Sequence, residues 1–207
     1  MRRRSLWLGA ALVITGVALL GIWAAWKIEG RASQAELGQR LNSLGAPVGR
    51  SAGLLLANAT RREAGQTGMV GRLEVERIGL SVMMVEGITN HMLRRGVGHV
   101  PATAFPGERG NVGIAGHRDT YFRKLEGVVR GDRVRLVTPD GSFTYEVDSV
   151  MVVPPDRGDL LDPTSTPMLT LVTCYPFRWV GSAPKRFVVQ ARLTGATKRG
   201  ARTESSS

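Results

Sequence analysis

The chain has 207 residues, 43% of them hydrophobic, with a single cysteine, three histidines and a formal net charge of +11. One cysteine excludes an intramolecular disulfide and a multi-cysteine zinc site. The basic excess is scattered, with no run of lysines and arginines interleaved with aromatics, which argues against nucleic-acid binding and fits attraction to an anionic envelope surface.

Leu6 to Trp26 is 21 residues without a charge, and Thr15 is its one polar side chain. At about 1.5 Å per residue this roughly spans a 30 Å hydrocarbon core. It is longer than the apolar region of a cleaved signal and lacks a clean small-residue cleavage site before Lys27, so it reads as a membrane anchor. Arg2, Arg3 and Arg4 precede it and only Lys27 follows closely, which predicts a single-pass protein with its N-terminus cytoplasmic and residues 28 to 207 extracytoplasmic. Trp7, Trp23 and Trp26 lie near the two ends, where interfacial aromatics are favoured. Removing residues 1 to 28 leaves about +7.

Residues 29–68 read as a juxtamembrane stalk. Ala35, Leu37, Leu41 and Leu44 make residues 29 to 44 helix-compatible, so a helix packed on the core is an equal alternative there. From Val70 onward, short strands separated by turn residues are expected over Gly71 to Val75, Leu80 to Val85, Gly110 to Ala115, Asp132 to Thr138, Ser142 to Val153, Met168 to Thr173 and Arg186 to Leu193. The clearest hairpin turns at Pro139-Asp-Gly141, with Phe143, Tyr145 and Val147 on one face by period-two alternation. Residues 69–194 thus form one mostly β domain whose edges closure into a barrel would hide. Residues 195–207 read as a disordered polar tail.

The chemistry concentrates in Leu169-Thr-Leu-Val-Thr-Cys174-Tyr-Pro-Phe177, where the cysteine ends an apolar β run just before a proline break. A lone cysteine is more often buried filling than nucleophile. Yet an oxidising compartment favours paired cysteines, so a solitary one hints at use. A thiol, with an ordinary pKa near 8.5, needs a base or a cation nearby to act as a nucleophile. Gly110-Asn-Val-Gly-Ile-Ala-Gly-His117-Arg-Asp119 sets a histidine at a strand end, and Ala183-Pro-Lys-Arg186-Phe-Val-Val189 sets an arginine at a strand start. His91 reads as a polar turn residue, and His99 as a structural hydrogen-bonder or a cleft wall. Arg178, Lys185 and Arg192 compete with Arg186, and Asp119 is a candidate to orient His117.

These segments, together with Arg72-Leu-Glu-Val-Glu-Arg-Ile-Gly79, Gly98-His-Val-Pro101 and Gly107-Glu-Arg-Gly-Asn-Val-Gly113, resemble the sortases, membrane-anchored cysteine transpeptidases with a TLxTC strand, an upstream His and a downstream Arg. The resemblance runs from about Gly71 to Leu193, and Gly181-Ser-Ala-Pro-Lys-Arg-Phe187 looks most like class D. It implies an all-β fold, a closed sortase-type barrel of seven to eight strands with short helices, preceded by one transmembrane helix. It also implies Cys174 as nucleophile, His117 as proton carrier and Arg186 as the cation opposing the charge that develops on the tetrahedral oxygen. Thr173 and Ala115 match groove positions, and Tyr175 is a further candidate to bind the substrate. Leu160 and Leu161, in the loop from Pro154 to Pro167, are candidates to contact an apolar residue of the peptide, or else pack on their own core.

The substrate implied is an LPxTG-like sorting signal near the C-terminus of an exported protein, cut through a thioacyl intermediate and transferred to an amine of the cell wall or a pilin. No cofactor is called for and no metal site stands out, since Asp156, Asp159 and Asp162 match no calcium-loop spacing. Two other readings use the same residues differently. In one, water resolves the thioacyl enzyme, making a cysteine peptidase. In the other, Cys174 is inert and the barrel only binds an envelope partner.

Overall fold

The computed structural model describes residues 2–43 and 58–198, with the side chains of 13–22, 32 and 34–43 in the first stretch. Residues 44–57 of the expected stalk and 199–207 of the expected tail lie outside the described residues, as do most side chains of Leu6 to Trp26. Among the described residues no helix is long and apolar enough to cross a membrane.

Helices α1 (Arg2–Ser43) and α2 (Asn58–Thr67) precede strands β1 (Met69–Val75) and β2 (Leu80–Glu86). Then come α3 (Asn90–Arg95), β3 (Val97–His99) and β4 (Asn111–Gly116), followed by β5 (Arg133–Thr138), β6 (Gly141–Val153), β7 (Met168–Tyr175) and β8 (Lys185–Lys198). The eight strands close into a barrel in the order β1-β2-β3-β4-β7-β8-β6-β5. Closure leaves no unpaired edge.

Most pairs are antiparallel, but β2 with β3 and β4 with β7 are parallel. The three-residue β3 has no counterpart among the expected strands, because three residues carry too little alternation to register as a period of two. The tail expectation is corrected at its start: Gly195 to Lys198 continue β8 and pair with Gly141 to Thr144. Backbone hydrogen bonds to a neighbouring strand need no apolar pattern, so a polar sequence can extend a strand that a partner already flanks.

Alternation decides what faces inward. Phe143, Tyr145 and Val147 of β6 are buried with Val134 and Leu136 of β5, Leu169 and Leu171 of β7, and Val189 and Ala191 of β8. Each fully buried side chain of that size contributes roughly 1.5–3 kcal/mol. A glycine sets how closely the sheet closes. Gly71 has φ +154°, and a Cβ there would lie 2.3 Å from the Val137 carbonyl oxygen.

Both helices of the expected stalk region touch the barrel. Gln34 accepts a hydrogen bond from the Met83 amide at 2.7 Å and donates to the Arg95 carbonyl at 2.5 Å. Leu37 and Leu41, one and two turns on, are buried in a small outer core with Met69, Met83 and Val85. The first amides of α2 are held by Asp140, whose carboxylate accepts from Ala59 N at 3.2 Å, Thr60 N at 2.8 Å and Thr60 Oγ1 at 2.6 Å. Anionic capping of orphan helix amides explains this fastening. Of the two readings of residues 29 to 44, the described part from Gln34 to Leu41 follows the packed helix.

Candidate active site

The site is assembled where three strands end together. In the parallel pair, Gly116 of β4 lies opposite Thr173 of β7. One residue beyond that pair stand His117 and Cys174. In the antiparallel pair on the other side of β7, Cys174 lies directly opposite Arg186 of β8. Residues directly opposite project to the same face. Cys174 is thus the central member of a row of three.

Period-two alternation separates the reactive position from the core. Leu169, Leu171 and Thr173 are buried, while Val172 and Cys174 are half-exposed on the outer face. Thr173, expected to line the peptide groove, is therefore corrected: it is 2% exposed and its hydroxyl donates to the Gly116 carbonyl at 2.7 Å. That bond fastens β4 to β7 immediately before both His117 and Cys174. A buried hydroxyl with a partner is worth about 1 kcal/mol, and more is lost if the partner is stranded.

The backbone around His117 is fixed from behind. Its carbonyl accepts from the Phe122 amide at 3.2 Å, closing a turn into the 3-10 segment Tyr121–Gly127. The buried Phe122 ring packs against Gly116, where an added Cβ would come within 2.7 Å of it. Neither the His117 ring nor the Cys174 thiol makes a hydrogen bond among the described residues. Asp119 is exposed and no hydrogen bond or ion pair joins it to His117 there.

Among the basic neighbours the structure discriminates. Arg186 is half-buried, and its Nη1 donates to the carbonyls of Lys185 at 3.0 Å and Ala183 at 3.3 Å. No carboxylate pairs with it among the described residues. Arg192 is taken up by Asp148 and by Glu146 at 2.7 Å, and Arg178 lies 3.9 Å from Glu126 on the surface.

Arg118 has a role that the sequence did not suggest. Its Nη2 donates to the carbonyls of Trp179 at 3.0 Å and Gly181 at 2.9 Å, so the residue after His117 holds the loop that leads into Arg186. Its Nη1 is buried without a partner among the described residues. Adjacency to His117 was the only signal available.

Ala115 is half-buried and pairs with Val172, so both sit on the outer face below His117 and Cys174. Leu161 leans on the same strand, its methyl 2.8 Å from where a Cβ on Gly113 would be. The Leu160 carbonyl accepts from Asn111 Nδ2 at 2.9 Å and Thr170 Oγ1 at 3.3 Å, which ties the loop from Pro154 to Pro167 to the sheet. Leu160 therefore contributes a backbone fastening, and Leu161 forms a wall beside Ala115. Tyr175 is half-buried in an aromatic group, with its ring 5.9 Å from Phe177 and 6.3 Å from Phe187. The Tyr175–Pro176 peptide is cis.

His99 is buried, with Nδ1 2.8 Å from Glu86 and Nε2 3.0 Å from the Ala104 carbonyl, so it is a structural hydrogen-bonder. Among the loop acids, Asp159 is paired with Arg157 at 2.7 Å, and that hydrogen bond lowers its carboxyl pKa.

Residues 73–194 match the family model for the sortase domain. Sortase D of Bacillus subtilis strain 168 is 37% identical over 131 residues, a stretch covering 63% of this chain and 65% of that protein. A Clostridium perfringens sortase D5 transpeptidase structure aligns with TM-score 0.63 and 26% identity, covering 82% of this chain and 99% of that one. A Clostridium perfringens sortase C with the C-terminal cell wall sorting motif aligns with TM-score 0.55 and 26% identity, over 61% of this chain and 70% of that one.

Proposed function

The chain belongs to the sortase family, most like class D, and from that premise we propose that it is a cysteine transpeptidase acting on C-terminal sorting signals of exported proteins. The observation that supports this most is the row His117, Cys174, Arg186, with Arg186 directly across from Cys174 and His117 one residue past the Gly116 to Thr173 pair.

In the first half-reaction Cys174 Sγ attacks the scissile carbonyl carbon, forming an S–C bond. The thiol proton passes to His117. The tetrahedral oxygen carries the developing negative charge, and the Arg186 guanidinium opposes it with a fixed, planar donor set. Collapse breaks the C–N bond, and His117 delivers its proton to the leaving amine. In the second half-reaction an acceptor amine attacks the thioester, its proton goes to His117, and the C–S bond breaks to return the thiol. A guanidinium does not give up its proton in a protein, so His117 moves the protons.

The peptide would lie on the outer face, over Ala115 and Val172, with Leu161 along one wall, while Tyr175 packs behind the nucleophile with Phe177 and Phe187. An LPxTG-like signal suits such a shallow apolar strip ending at a cation. The acceptor is an amine of the cell wall or a pilin. Leu6 to Trp26 anchors the chain in the membrane, supported by its uncharged 21 residues and the arginines before it. The N-terminus is then cytoplasmic and the barrel extracytoplasmic.

Arg186→Lys is the direct test. It keeps the charge and loses the geometry, so kcat/KM on a sorting-signal peptide should fall about tenfold or more. Arg178→Lys and Arg192→Lys should stay within about twofold of the unsubstituted enzyme. A large loss at Arg178 with Arg186→Lys unaffected would move the cation into the loop and overturn the assignment. Product analysis with and without an added amine separates transfer from hydrolysis.

A further inference from the structure

Outside α1, the large hydrophobic side chains exposed among the described residues are Ile88, Val129, Val152, Trp179 and Val180. Strand pairing assigns each to an end of the barrel. Ile88 follows β2 and lies at the end opposite Cys174. Trp179 and Val180 are in the loop from β7 to β8, at the Cys174 end. Val152 pairs with Phe187, beside the start of β8. Val129 precedes β5, whose approach is paired beyond its first residue through Gly131 N to the Val147 carbonyl. Three of the five, Val152, Trp179 and Val180, therefore gather around the active-site rim.

The charges there are more often basic than acidic, with Asp119 and Asp156 the exposed acids nearest the rim beside Glu126. Arg178 and Lys185 flank the exposed pair in the loop, both of them exposed. Glu126, 3.9 Å from Arg178, is offset by the exposed Arg123 and Lys124. Val180 is 98% exposed and Trp179 half-exposed, its indole N–H donating to the Ser182 carbonyl at 3.1 Å. Apolar side chains and a tryptophan among cations suit the headgroup layer of an anionic membrane.

The helix α1 sets the distance. Gln34 is fixed to Met83, midway along β2, and Leu37 and Leu41 pack with Met69 and Val85, which pair near the far end of that strand. The helix thus descends away from the Cys174 end, and its N-terminal turns rise toward it. Trp26, the last residue of the apolar stretch, is eight residues before Gln34, or about 12 Å along the axis. From Met83 to Leu80, the end of β2 on the Cys174 side, is about 10 Å. Strand register through β3 and β4 sets Cys174 level with Met83, so the lipid surface begins about 12 Å beyond it, on the side to which the loop from β7 to β8 extends.

We infer that the Cys174 end of the barrel rests on an anionic phospholipid surface, with Trp179 and Val180 in the headgroup layer; this rests on the membrane-anchor reading above. Peptide bonds presented close to the membrane are then the ones that reach Cys174. The test uses the full chain with Trp7→Phe, Trp23→Phe and Trp26→Phe, which leaves Trp179 as its sole tryptophan. It is reconstituted in phosphatidylcholine vesicles with or without phosphatidylglycerol, carrying acyl-brominated lipid as quencher.

Trp179 emission should shift to the blue and be quenched in the anionic vesicles. Quenching should fall at least twofold in zwitterionic vesicles, in high salt, or with Arg178→Glu and Lys185→Glu together. Unquenched Trp179 in anionic vesicles overturns the inference. So does a shift seen only when a sorting-signal peptide is added, which would make the loop a peptide-binding element. Alkaline carbonate extraction reports separately on the anchor, since a chain stripped from the vesicles loses that reading whatever Trp179 shows. Should the tryptophan replacements impair folding, hydrogen exchange of residues 177–185 in the unsubstituted chain serves instead. Exchange several-fold slower in anionic than in zwitterionic vesicles supports the inference, and equal rates overturn it.

Discussion

The two ends of the barrel use their polar groups in opposite ways. At the end where β5 turns into β6, Asp140 takes three donors from the start of α2, and Thr60 is fully buried against it. At the end where β7 stops, the Cys174 thiol and the His117 ring make no hydrogen bond among the described residues, and Arg186 bonds only to carbonyls of its own approach. One sheet thus carries a satisfied end that stabilises and an uncommitted end where the proposed chemistry takes place. Groups kept free of structural partners are available to substrate, and the loss of stability this entails is offset elsewhere in the fold.

That contrast predicts that chemistry and stability separate by position. Cys174→Ala should lower kcat/KM on a sorting-signal peptide by at least about 10³-fold, because the sulfur forms the covalent bond. Its urea midpoint should match the unsubstituted protein, since alanine fits the same half-exposed strand site. Turnover near the original level would break the contrast at its centre.

Leu41→Ala probes the other side. Removing a 1% exposed leucine from the outer core should cost about 2–4 kcal/mol of unfolding free energy. Activity at a temperature where the variant is folded should persist. A stability change below about 0.5 kcal/mol would mean that α1 is only a tether. Asp140→Ala is expected to cost about 1–3 kcal/mol, as the amides of Ala59 and Thr60 lose their acceptor. Here a selective fall in kcat/KM with unchanged stability would show the two ends to be coupled.

Asp132→Asn sharpens the comparison by pH and carries the smallest effect. The hydrogen bond from Arg77 is the main cause holding the Asp132 carboxyl below its ordinary range, with burial acting the other way and the Val129 amide assisting. A carboxyl with a depressed folded pKa contributes stability that is present above the unfolded value, near 3.9, and is lost as pH falls through the folded value. The difference in urea midpoint between Asp132→Asn and the unsubstituted chain should be full at pH 7 and shrink as the pH falls below the unfolded value and then through the depressed folded one. A gap that is independent of pH would remove the ion pair as its cause.

Much of the site could be read before the fold. The β run ending at Cys174, the glycine-flanked approach to His117 and the arginine opening the last strand are local patterns, and the alternation of Phe143, Tyr145 and Val147 already marked the core face of β6. The strand β3 escaped because three residues hold no period, and Gly195 to Lys198 escaped because their strand character comes from the neighbouring β6 backbone. Thr173 was misplaced to the groove since its position beside Cys174 in sequence says nothing about which face it occupies until the register with Gly116 is known.

Sequence alone supplied the candidate residue types and their order along the chain, because strand periodicity and turn chemistry are short-range properties. Their convergence was decided by tertiary pairing. Parallel β4 and β7, with antiparallel β8, bring His117, Cys174 and Arg186 from a span of 70 residues into one row. The same holds for Arg118 on the far loop, Gln34 on β2 and the gathering of exposed apolar residues at one rim. These are long-range contacts, and a side chain's partner across a barrel follows from closure and register, which no local stretch of sequence encodes.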